Sequence, residues 1–258
     1  LDFFLQLMVS AATASIVSAA LAERIKLWPF LIFTIVLTGL IDPIQASWTS
    51  AGGFRDFAGS TVVHPVGGWA ALAGAIILGP PIGTHRKDGK VHPMPGSNLA
   101  LATLGSFNPW LCWFGFSGGS QRALGPVGGM ADASRIFSNT NAAAADGAVA
   151  ALIGGVIEVL AVPFLDKMKL DGVLGEIPVH LFADIWGTIA VVLTNPDASF
   201  VARIVSILVA GAFFFVVSAA VWPIPKATMG LLVSEEAEVT GLDTTEPGMA
   251  AHPEFAKG

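Results

Sequence analysis

Seven stretches of this chain are each long and apolar enough to cross a lipid bilayer: 3–22, 28–48, 57–79, 98–117, 138–164, 176–194 and 201–225. Crossing hydrocarbon about 30 Å thick takes about 20 helical residues, and within lipid each backbone N–H and C=O must find its partner inside the protein. An all-α integral membrane protein with about seven transmembrane helices is therefore the expected fold class. Composition agrees: 53% of the residues are hydrophobic, 12% are charged and the mean hydropathy is +0.70. A soluble domain carries about a quarter charged residues. No basic cluster with interleaved aromatics is present, so nucleic acid is not an expected partner. The single cysteine, Cys112, has no disulfide partner and reads as a small packed hydrophobe.

Polar stretches separate the segments, among them "AERIK" at 22–26, "GPPIGTHRKDGKVHPMPGSN" at 79–98 and "DKMKLDG" at 166–172. With alternating crossings, one side holds Arg24, Lys26, Arg86, Lys87, Lys90, Lys167, Lys169, Lys226 and Lys257. The other side holds Arg55, Arg122, Arg135 and Arg203. The richer side is assigned to the cytoplasm, which puts the visible N-terminus outside and the C-terminus inside a cytoplasmic (inner) membrane. Trp28, Trp48 and Trp222 stand at segment ends, where an aromatic belt would place them. The chain opens at Leu1 with no charged n-region and reads as a truncated start rather than a signal peptide. Residues 1–228 form the expected transmembrane domain, and 229–258 a tail that reads as flexible and cytoplasmic. The fifth segment is overlong: as one helix, Ser138 to Phe164 would run about 40 Å and carry Asp146 and Glu158 about 18 Å apart.

Of the five histidines, only His64 and His180 fall inside apolar segments; His85 and His92 lie in the polar loop and His252 in the tail. An ionisable group within a span is a functional hypothesis by default, the alternative being a histidine satisfied by a neighbouring carbonyl or serine. The two share a context, "VVHPVGGWAALA" at 62–73 and "PVHLFADIWGTIA" at 178–190, on helices running in opposite senses. Such pairing is what an inverted-repeat transporter leaves in its sequence. Two neutral imidazoles near the midplane offer nitrogens that donate or accept, which suits a small polar solute. Zinc is the competing thought, discounted because no adjacent Cys, Glu or further His completes a ligand set. Asp56 reads as a helix N-cap ahead of Phe57, or as a solute-recognising acid. The glycines of "WFGFSGGS" at 113–120 read as close helix packing, while Phe116 and Ser120 could face an incoming cation. No residue is assigned a catalytic, cofactor or metal role.

The block "DFAGSTVVHPVGGWAALAGAIILG" closely resembles the signature of the Amt/Rh ammonium transporter family, and the likeness continues through "AERIKL", "PIQASW", "WFGFSGGSQ", "NTNAAAA", "LAVPFLDKMKLD", "IPVHLFADIWGT" and "VSEEAEVTGLD". The resemblance implies an eleven-helix inverted-repeat fold, a homotrimer with a pore in each subunit, and a tail that in some members meets P-II-type regulatory proteins. It implies His64 and His180 as paired pore histidines and Asp56 as the selecting acid. It also implies Phe116 as an outer gate, Ser120 as a recruiting hydroxyl, and Trp48 near the place of a recruiting tryptophan. Ammonium would be recruited and deprotonated outside, and ammonia would pass the histidines.

Departures accompany the likeness. Two family helices are absent before Leu1, and the fifth segment looks like two helix halves joined with the helix between them lost. Val9 stands where an outer aromatic is expected, Ser50 competes with Trp48 for its place, and Gly172, beside Asp171, replaces a second acid. Asp146 and Asp184 stand where small residues are expected. The expected function is ammonium or ammonia transport. The alternatives are a non-transporting ammonium sensor or subunit partner, or a non-functional fragment. A retinal protein is set aside because the last segment lacks an interior lysine.

Overall fold

The computed structural model describes residues 2–51, 56, 57, 59, 61–84, 99–121, 125, 127–146, 149–170, 172 and 175–248. His85, His92, Asp171, His252, Arg55, Arg86, Lys87, Lys90, Arg122 and Lys257 lie outside them. The described chain is helical and contains no strand, only an isolated bridge between Ile25 and Leu232. Among the described residues, three stretches, Phe3–Leu21, Leu27–Trp48 and Phe200–Met229, are long and apolar enough to cross a membrane, and His64–Leu78 and Pro178–Leu193 are shorter apolar helices. Large apolar side chains point outward, with Phe3 and Val127 each 82% exposed. In a membrane protein such a surface faces lipid or a neighbouring subunit.

Helix α1 (Asp2–Leu21) is followed by α2 (Leu27–Val36), which passes through a π-helical turn (Leu37–Ile41) into α3 (Asp42–Ala51). Helix α4 (His64–Leu78) is the hub, packed against α1, α9 (Phe200–Val221) and the π-turn (Pro178–Ala183) that carries His180. Its inward face is made of small residues: Ala70, Ala71 and Ala75 are fully buried. A Cβ at Gly67 would come within 2.9 Å of the Thr13 carbonyl, and one at Gly74 within 2.8 Å of Leu21. Gly211 of α9 (Phe200–Val221) gives the same clearance to Trp69. Helices meet closely here because side chains that would hold them apart are missing. Pro65 suits the first turn of α4, and Gly79, at φ 82°, ends it.

The third segment begins later than its apolar run. Asp56 and Phe57 lie outside any helix, residues 61–63 form a turn and the helix starts at His64, so Asp56 is not the N-cap of a helix at 57. The fourth becomes α5 (Leu99–Gly119). The single 27-residue fifth segment is not what forms. Two helices occupy the region, α6 (Val127–Asp146) and α7 (Val149–Lys167), so Asp146 ends one and Glu158 lies in the other. Gly118 lets α5 and α6 meet, since a Cβ there would strike the Phe137 ring. A second π-turn (Pro178–Ala183) leads into α8 (Asp184–Thr194), and Ser199 caps α9 by accepting from the Ala202 N–H at 3.3 Å.

Two side chains sit otherwise than expected. Trp222 is fully buried and stacked on Phe33 at 3.9 Å, so it is part of the core and not of an aromatic belt, whereas Trp28 is 65% exposed. Cys112 is exposed, next to exposed Leu111 and Trp113 on α5, because an apolar run does not distinguish the face turned to other helices from the face turned outward.

The tail is folded through residue 248 where a flexible end was expected. After α10 (Pro223–Met229), the Lys26 N–H donates to the Leu231 carbonyl at 2.8 Å and the Val233 N–H to the Arg24 carbonyl at 3.1 Å. Ser234 caps α11 (Glu235–Thr240) by accepting from the Ala237 N–H, and three acids in that helix's first turn complement its dipole. Glu238 accepts from the Ile82 N–H at 2.6 Å. Glu246, just past α12 (Leu242–Thr245), accepts from the Leu27 N–H at 3.1 Å, satisfying a donor at the start of α2. Lys226 reaches the Ile77 carbonyl at 3.2 Å. Arg24, Lys26 and Lys226, assigned to one side by the charge pattern, thus gather at one end of the bundle.

Candidate functional site

His64 opens α4, and His180 sits in the π-turn before α8. Their rings stack at 5.3 Å between centroids and 15° between planes, so two histidines 116 positions apart in sequence meet. Two features make this meeting geometrically accessible. A π-turn carries an extra residue and re-aims the side chains along it. Gly68 lies one helical turn from His64 on the same face; a Cβ there would sit 2.9 Å from the His180 carbonyl oxygen and 2.9 Å from the Leu181 Cβ. The missing side chain is the space the π-turn backbone occupies.

Phe116, near the end of α5, also meets His64, its ring tilted by 39° with centroids 5.8 Å apart. Phe116, His64 and His180 therefore form a continuous series of rings. Ser120, one turn on, donates from its hydroxyl to the Phe116 carbonyl at 2.9 Å, which leaves its oxygen able to accept but aims its proton back into the helix.

Asp56 organises the turn ahead of His64. Its Oδ1 accepts from the Gly59 N–H at 3.0 Å, and its Oδ2 accepts from Thr61 at 2.7 Å and Val62 at 2.9 Å. A carboxylate committed to three backbone donors holds a loop in shape, and Gly59, at φ 80°, takes the left-handed conformation that the loop needs. Trp48 does not join the ring series. It packs on Phe213 of α9, with centroids 5.0 Å apart.

Three residues were given no site role from sequence. Thr61 and Thr188 share a buried hydroxyl–hydroxyl hydrogen bond of 3.0 Å that ties the Asp56 turn to α8. Asp184, the first residue of α8, lies one turn after His180, with its Oδ2 3.8 Å from the His180 Nδ1. The usable signal for Asp184 was the four-residue spacing from His180, which puts both on one helical face.

Residues 1–154 and 151–252 both match the Ammonium Transporter Family. The chain belongs to the ammonium transporter family. It is 32% identical to the ammonium transporter Amt2 of Archaeoglobus fulgidus, over 98% of this chain and 70% of that protein. It is 33% identical to ammonium transporter Amt2 of Methanocaldococcus jannaschii, over 98% of this chain and 71% of the relative. The A. fulgidus alignment extends over 332 residues against 258 here, so that transporter carries stretches this chain lacks. The two family matches meet at 151–154, in the first turns of α7, where the overlong fifth segment suggested joined halves. Among solved structures, a protein titled "Sensor Amt Protein" superposes with a TM-score of 0.77 at 25% identity, over 92% of this chain and 74% of that one. Rh50 of Nitrosomonas europaea shares the fold with a TM-score of 0.62 at 18% identity, over 88% of this chain and 70% of its own. This chain is thus an all-helical membrane member of the ammonium transporter family, internally shortened relative to the A. fulgidus transporter.

Proposed function

We propose that this protein passes ammonium nitrogen across the cytoplasmic membrane as neutral ammonia, along the stacked pair His64 and His180. The carrying observation is that pair, 5.3 Å apart and lidded by Phe116. Bare ammonium among apolar helices is costly, whereas ammonia is neutral and exchanges hydrogen bonds with imidazole nitrogens. The proton is left outside, at a mouth where the face of Phe116 attracts the arriving cation and Ser120 offers an acceptor. Asp56 acts there by fixing the turn that aims His64, and Trp48 flanks the approach from α3. Residues 1–228 make the membrane domain, with the N-terminus outside, and 229–258 the cytoplasmic tail. Three copies associate through the exposed apolar faces, and a P-II-type protein meets the tail.

The test is methylammonium uptake in cells lacking other ammonium transporters. His64→Leu with His180→Leu is expected to abolish uptake, and uptake that survives both would remove the pore assignment. A non-transporting sensor is the second reading, favoured by the likeness to the Sensor Amt Protein. Ammonium-dependent binding without flux would select it.

A further inference from the structure

The same pair of histidines has a third neighbour that ammonia conduction does not use. One ligand atom each from His64, His180 and Asp184 lies within 4.8 Å of the others. We propose that these three side chains form a binding site for a divalent transition-metal ion of zinc type. Two imidazole nitrogens and one carboxylate oxygen are the donor set that zinc and its first-row neighbours take, and not one that suits calcium or magnesium. Four-residue spacing on one helical face brings His180 and Asp184 together, and α4 supplies the third donor across the interface that Gly68 keeps narrow.

A second observation is independent of the cluster. The Nδ1 of His64 is shielded from solvent and has no hydrogen-bond partner among the described residues. A buried imidazole nitrogen left this way is destabilising, and a bound metal ion is one group that would satisfy it. Donors around tetrahedral zinc, each at about 2.0–2.2 Å, stand roughly 3.3 Å apart. The three atoms would draw in by about 1.5 Å at most, within reach of side-chain rotation. Asp184 brings negative charge to offset the ion's, which two neutral histidines would not do. His180 and Asp184 are 29% and 26% exposed, so the ion can enter. With three protein donors the fourth position stays open to water or an amine. The discounting of zinc from sequence rested on the lack of further ligands adjacent to the two histidines, and Asp184 supplies one of them in space.

Binding stands on the side-chain geometry alone; that the ion would plug ammonia flux rests on the proposed pore. The experiment uses the full chain in detergent with His85→Asn, His92→Asn, His252→Asn and Cys112→Ser, which leaves His64 and His180 as its only histidines and removes its thiol. Zn²⁺ is titrated against a chromophoric chelator, and Co²⁺ is added as a spectroscopic substitute. One Zn²⁺ per chain is expected, with the visible absorption of four-coordinate Co²⁺. Asp184→Asn and His180→Gln should each weaken binding at least about tenfold. Less than one ion per chain, no four-coordinate Co²⁺ spectrum on the parent chain, or unchanged affinity in folded Asp184→Asn overturns the proposal. The spectrum needs no site variant, so a misfolded one does not rescue the idea. In liposomes Zn²⁺ should slow ammonia entry for the parent and not for Asp184→Asn. A chain that conducts no ammonia defeats the pore, while the titration still decides the metal.

Discussion

Replacing Gly68 by alanine isolates the contact on which the histidine pair depends. The new Cβ would lie 2.9 Å from the His180 carbonyl oxygen and 3.0 Å from its carbonyl carbon, so the obstacle is backbone and cannot swing aside. The π-turn must retreat from α4, at the overpacking cost of about 1–3 kcal/mol. Alanine also gains helix propensity over glycine, about 1 kcal/mol, which would mask part of that cost. Gly187→Ala supplies the correction, because Gly187 lies in the neighbouring α8 with nothing within 4 Å of its would-be Cβ. Both variants gain the propensity and only one meets a backbone. Their difference is therefore the contact itself, about 1–3 kcal/mol, or a melting-temperature gap of about 2–12 °C for a chain of this size. Thermal unfolding in detergent reads the gap, and methylammonium uptake reads the pore: Gly68→Ala falls in both and Gly187→Ala in neither. Equal melting and equal uptake in the two variants would refute the claim that Gly68 sets the approach of His180.

Three further outcomes follow from other parts of the bundle. Trp222→Ala should destabilise the chain by about 3–5 kcal/mol, because the ring is fully buried on Phe33, while Trp28→Ala, at a 65% exposed position, should leave melting unchanged. Asp56→Ala should lower stability by at least about 1–3 kcal/mol, since three backbone donors lose their acceptor, and Asp56→Asn should lower it less, both read by thermal unfolding. Replacing Glu238 and Glu246 together by alanine removes two acceptors worth about 0.5–1.5 kcal/mol each, so protease cleavage within 231–248 should accelerate roughly tenfold. An unchanged digestion rate would mean that these contacts do not hold the tail.

The long elements were legible because lipid leaves a chain few choices: an apolar run of about 20 residues must be a helix, and α1, α2–α3, α5 and α9 lie close to where hydropathy put them. The paired Val-His contexts pointed to two histidines that do meet. Phase and face were not legible. In "NTNAAAADGAVAALIGG" alanine-rich sequence flanks Asp146-Gly147 on both sides, so the run reads as one segment although that pair, a turn signal, stands where α6 ends. Cys112 and Trp222 both stand in apolar sequence, yet one faces outward and the other the core. Asp184 was seen as an oddity and not as a neighbour of His64, because that contact crosses two helices and depends on a glycine with no side chain to announce it. The tail's composition suggested disorder, but it is held by backbone hydrogen bonds, which sequence does not display.

The central claim is that ammonia moves along His64 and His180. Its most direct test is the purified chain in liposomes loaded with a pH-sensitive dye and exposed to an ammonium gradient. Ammonia that enters takes up a proton, so the lumen should turn alkaline faster than in empty liposomes, and His64→Leu with His180→Leu should return the rate to that of empty liposomes. A parent chain no faster than bare lipid, or a double variant as fast as its parent, would contradict the account.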